Sequence, residues 1–106
     1  MTDKNSFVDW LITCGKCSSR KLATDCASRV RKLERDFQGS YGESFSLDKQ
    51  FQTDKGESIL ALFTKAGQNE EAAKLKPGTL PIGSGQMYPL KSALSRYFEY
   101  LAAREQ

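Results

Sequence analysis

The residues able to carry chemistry are few, and cysteines come first. Cys14-Gly-Lys-Cys17 is a CxxC pair, followed by Cys26. In a dithiol redox site such a pair opens a helix, and the N-terminal dipole lowers the thiol pKa. Here the pair closes a helix, where the dipole opposes thiolate formation. A structural zinc needs four ligands, and the chain holds three cysteines and no histidine. The cysteines therefore read as free thiols: Cys14 and Cys26 as small apolar packing, Cys17 in a turn. No metal or cofactor is expected.

The second group is basic. Lys16 to Asp36 holds seven basic residues against three acids, a local +4 within a net charge of +3, so the remainder sums to −1. Taking about 100° per residue, Arg20, Lys21, Arg31, Lys32 and Arg35 fall within an arc of about 120° that contains no acid. Such a stripe can neutralise phosphates along a groove and release their counterions. A merely solvated helix face has the same pattern, and both readings stand at this point.

The remaining candidates carry less. Gly83-Ser-Gly85 lacks the Lys-Ser/Thr of a phosphate-binding loop and follows no strand, so it reads as linker. Tyr88, Tyr97 and Tyr100 have no base nearby; Tyr97 falls on an apolar helix face and Tyr100 at its border. The carboxylates form no pair at helical spacing on an apolar floor, so no acid–base site is read. The chain is expected to have no enzyme active site.

These groups must be positioned by helices, because no segment alternates with period two. Phe7, Trp10, Leu11 and Cys14 make one face of a first helix, from about Asp3, its cap, to Cys14, closed by Gly15. Ser18 or Ser19 caps a second, whose Leu22, Cys26, Val30, Leu33 and Phe37 share an arc of about 80° running toward Gly39. Residues 46–51 read as a short helix or single turn. Asp54 with Glu57 has the form of a capping box, ahead of a third substantial helix with Ile59, Leu62, Phe63 and Ala66 inward. Residues 67–86 are punctuated by Pro77-Gly78, Pro81 and Gly83-Ser-Gly85, and predict an irregular, mobile segment with partial helix at 69–75. A last helix begins near Pro89, with Leu90, Leu94, Tyr97 and Leu101 on one face. The expected fold is all-α, a single domain over residues 1–106.

At 106 residues and 39% hydrophobic, the chain is long enough to bury a core without metal or disulfide staples. No apolar run approaches the roughly 20 residues of a membrane span. The N-terminus carries acids where a signal peptide has basic residues, and a cytoplasmic location is expected.

Phe7-Val-Asp-Trp-Leu11, then Gly15-Lys16 and Ser18, then the long helix with Ser28-Arg-Val-Arg-Lys-Leu33, resembles the opening of a known domain. That domain is the core-binding domain of tyrosine recombinases, the phage-integrase family. Leu90-Lys-Ser-Ala-Leu-Ser-Arg-Tyr-Phe-Glu-Tyr-Leu101 is similar to its final helix. The resemblance spans most of the chain. It implies a four-to-five-helix, SAM-like bundle that clamps one side of double-stranded DNA. It also implies DNA contacts from Lys16, Ser18, Arg20 and Lys21 at the first turn, and from Lys91, Ser95 and Arg96 on the last helix. Two features depart from the family: the catalytic domain is missing, and residues 67–86 exceed the usual connection.

The leading expectation is therefore a DNA-binding module contacting phosphates through Lys16, Arg20, Lys21, Arg31, Lys32, Arg35, Lys91 and Arg96. Its rival is a protein-interaction domain, self-associating or bound to a partner, with an exposed apolar patch built from Trp10, Tyr41, Phe45 or Tyr100. The two are separated by whether the helix stripe continues into basic residues elsewhere.

Overall fold

The long second helix organises the molecule. In the computed structural model, which describes residues 4–105, α1 spans Lys4–Thr13, α2 Arg20–Tyr41, α3 Leu47–Asp54, α4 Glu57–Ala61, α5 Glu70–Ala73 and α6 Met87–Arg104. No strand occurs among the described residues. Four helices have eight residues or more, whereas α4 and α5 are single turns. The fold is an all-α bundle, as the periodicity requires. The Asp3 cap expected for the first helix lies outside the described residues.

Ser19 starts α2, its hydroxyl accepting the Leu22 amide at 3.2 Å. The helix runs through Gly39 and stops at Gly42, whose φ of 111° is left-handed. Both α1 and α6 pack against α2. Phe7, Leu11, Val30, Leu33, Phe37, Leu94 and Tyr97 are almost wholly buried between these helices. Ser46 starts α3 in the same way, accepting the Lys49 amide.

Several expected core positions differ. Leu22 is 51% exposed, while Ala23 and Ala27 are fully buried. On the helix wheel the buried face of α2 is therefore rotated toward the alanines, by roughly 40°. Trp10 and Leu90 are only half-buried at the core margin, whereas Tyr100, expected at the border, is buried against Phe7 and Trp10.

The third substantial helix is not formed. Asp54 does cap the segment after it, accepting the Gly56 amide at 2.9 Å and the Ser58 amide at 3.3 Å. These bonds, the Ser58 hydroxyl first among the causes, hold its carboxyl below the ordinary range. The helix nevertheless ends at Ala61: Leu62 and Phe63 bond back three residues to Ile59 and Leu60, and Lys65 and Ala66, with left-handed φ of 56° and 55°, then turn the chain. Ala66 is exposed as a result, though Ile59, Leu62 and Phe63 are buried as expected. The Asn69 side chain secures this break. Its amide donates to the Leu62 and Thr64 carbonyls at 3.0 and 2.9 Å, and its oxygen caps α5 by accepting from Ala72 at 2.8 Å.

Residues 67–86 carry a single helical turn and are otherwise irregular. Ala72, Thr79 and Leu80 are nevertheless buried. Thr79 shares a 2.6 Å hydrogen bond with Ser40 of α2, and the Ser40 hydroxyl also accepts the Lys76 amide.

Candidate functional site

Residues of α2 line three neighbouring clefts. The first is lined by Lys4 and Ser28 with Arg31, Lys32 and Arg35. The second lies between α2 and the start of α6, with Arg29 and Lys32 on the α2 wall. The third opens at the turn before α2, where Lys16, Cys17 and Ser18 meet Leu22, Arg29 and Arg96. Lys32 is common to the first and second, and Arg29 and Pro89 are common to the second and third. Neighbouring clefts thus share lining residues along α2, and the three are together termed the furrow. Seven cations line it, namely Lys4, Lys16, Arg29, Arg31, Lys32, Arg35 and Arg96, against a single carboxylate, Glu34. Glu34 accepts the Leu47 amide at 3.0 Å.

The sequence-derived residues divide by environment. Arg31 and Arg35 are exposed and pair with no carboxylate among the described residues, as is also true of Lys21 at the head of α2. Lys32 bonds Asp36 at 2.6 Å, Lys16 bonds Glu99 at 3.2 Å, and Arg20 bonds Asp9 at 2.8 Å. All three pairs lie at the surface, where such contacts are worth at most about 1 kcal/mol and exchange readily for another anion. Arg96 donates to the Lys16 carbonyl and to the Cys17 sulfur at 3.6 Å, which fixes the α1–α2 turn against α6. Lys16, Ser18 and Arg96, far apart in sequence, are thus brought to one end of the furrow. Lys91 is not: it lines a separate cleft with Lys65 and Tyr88 that shares no residue with the furrow. Ser95 is half-buried on α6.

Arg29 and Lys4 were missed by the sequence reading. On the wheel Arg29 lies beyond Asp25 and Asp36, outside the acid-free arc. Only the packing of α6 alongside α2 makes it the residue joining two clefts. The structural signal was the Pro89 end of α6, which a single-helix wheel cannot include.

The cysteines are free: Cys14 is exposed, Cys17 half-buried and Cys26 buried. Burial, with the Cys17 sulfur next in weight, pushes the Cys26 thiol up to about 11, against the opposing charges of Arg96 and Arg29. Such a thiol is a poor nucleophile at neutral pH. No group of three or more potential metal ligands occurs among the described residues. No helix among them is long and apolar enough to cross a membrane. Of the four residues expected to form an apolar patch, only Tyr41 is exposed; with Phe45, Ile59 and Leu62 it lines a cleft away from the furrow. The chain matches no family model, no curated protein and no solved structure.

Proposed function

We propose that this chain is a non-enzymatic module that grips duplex DNA by its phosphate backbone, with α2 as the contacting element. The observation that carries the reading is the shared lining of the three clefts, which adds Lys16, Arg29, Arg96 and Lys4 to the stripe of Arg31, Lys32 and Arg35. Arg20 and Lys21 extend the same face toward the N-terminus of α2, and Lys91 would reach a separate phosphate from α6. The arrangement is that of backbone contact. Exposed Arg and Lys on a helix face reach phosphate oxygens, and no bidentate base-reading cluster accompanies them. The likeness to tyrosine-recombinase core-binding domains, SAM-like in fold, points the same way.

Duplex affinity should be weak, roughly 10⁻⁴–10⁻⁶ M, and should fall steeply with salt. Reversing Arg31 and Arg35 together to Glu should weaken binding to all duplex sequences alike and lower the salt slope by roughly one unit per contact removed. Undetectable duplex binding at low salt, or a double reversal without effect, overturns the proposal. The cleft at Tyr41 and Phe45 would then favour a protein partner instead.

A further inference from the structure

The middle cleft of the furrow sets apolar side chains beside its cations. It holds about 420 Å³, within the roughly 300–1,000 Å³ of small-ligand sites. Backbone contact alone has no use for an apolar floor, yet this cleft has one. Leu80 is nearly buried beneath it, Pro81 and Leu90 are half-buried, and Pro89 closes one side. Opposite them stand Arg29 and Lys32. At the rim is Gln86, whose side-chain amide makes no hydrogen bond among the described residues. The floor is also held in shape: Thr79 is tied to Ser40, the Ile82 amide donates to the Leu80 carbonyl at 2.9 Å, and the Ser84 hydroxyl donates to Pro81 at 2.8 Å.

An apolar floor with cations on one wall and a free amide at the rim is complementary to a nucleotide. A base would lie on the proline rings and Leu90, with its phosphate facing Arg29 and Lys32 and its polar edge toward the amide of Gln86. A base inside a duplex is stacked and paired, and cannot enter. We infer that the middle cleft seats one unpaired nucleotide of a DNA strand whose neighbouring phosphates run into the clefts on either side. Arg29 and Lys32, each shared with one of those clefts, mark the two exits. This inference rests on the phosphate-binding reading. It narrows the ligand from any duplex to one with a gap, flap or overhang.

The test is fluorescence anisotropy of dye-labelled oligonucleotides with the full chain, comparing a blunt duplex with the same duplex carrying a short single-stranded overhang. The overhang should bind at least about fivefold tighter, the low end of what stacking one base contributes. Pro81→Glu, with its fold checked by circular dichroism, should bring the two affinities to parity. Arg29→Ala, on an exposed helical position that alanine suits, should narrow the gap without disturbing the fold. The Arg31→Glu/Arg35→Glu variant should weaken both ligands and leave their ratio unchanged. Equal wild-type affinity for the blunt and overhang duplexes overturns the inference while the duplex reading stands. An overhang preference surviving both cleft variants overturns the assignment to this cleft. Failure of every oligonucleotide to bind removes both.

Discussion

Tyr97 shows how a residue with no catalytic setting can still be constrained. Its ring is buried in the core, edge-on to Phe7, while its hydroxyl donates to Asp48 on α3. Burial first, and then the Asp48 hydrogen bond and charge, raise the phenol above its ordinary value of 10.0. Because the folded state keeps this proton longer than the unfolded chain does, the associated stability is present below pH 10.0 and lost as pH rises beyond it. Tyr97→Phe should cost about 1–3 kcal/mol near neutral pH, by leaving Asp48 without its phenol partner. It should also flatten the loss of stability on the alkaline side, which urea unfolding of both proteins across that range will read. The cysteines make a second residue-scale expectation. An aromatic disulfide reagent near neutral pH should modify exposed Cys14 quickly and buried Cys26 only as the native state opens, followed by mass spectrometry. Equal labelling of the two would contradict the packing of α6 over α2. The sequence placed Tyr97 correctly because its helix face is periodic, but the Asp48 partner was invisible, since it lies on a helix 49 positions away.

At the scale of elements, what a single helix determines was legible and what two helices decide together was not. The period of α2 and the Ser19 cap follow from local rules, but α6 starts at Met87, so Pro89 stands at its third position and not at the first that proline favours. The phase of the buried face is set by neighbours. Ala23 and Ala27 carry little hydrophobic weight in a sequence, yet both are buried, while the larger Leu22 stays exposed. The break after Ala61 has a similar origin. Ile59, Leu62 and Phe63 are spaced for a helix, but Asn69 takes up the carbonyls that the interrupted helix releases. Gly56, between α3 and α4, marks a related joint. Its φ is 80°, and an added Cβ would meet the Phe98 ring at 2.3 Å. Gly56→Ala should cost about 1–3 kcal/mol through overpacking, with left-handed strain added to it, and thermal unfolding should show the loss. Gly39→Ala serves as the control: nothing lies within 4 Å of an added Cβ there, and alanine favours a helix interior.

For the whole molecule the question is whether residues 67–86 are an appendage or part of the core. The radius of gyration is 13.4 Å, close to the roughly 13 Å of one compact domain of this size, so the segment adds no protruding arm. Leu80 is 6% exposed and joins the same core cluster as Leu33 and Leu94, although nothing near it in sequence is helical. Its burial was not readable because isolated apolar residues among Pro and Gly carry no period to count. The segment also supplies one wall of the furrow, so core packing and the proposed nucleotide cleft depend on the same few side chains. If the segment belongs to the core, Leu80→Ala should lower the stability of the entire bundle. The expected cost is roughly 2–5 kcal/mol, seen as a shift of one cooperative transition in the helical signal. The dependence on urea should keep the wild-type slope, because the surface exposed on unfolding is nearly the same. An appendage would behave otherwise: the helical transition would stay where it is, and only local protection around residues 77–83 would fall in hydrogen exchange. Measuring both signals on one variant separates the two, and a helical midpoint unchanged from wild type would show that the bundle folds without this segment.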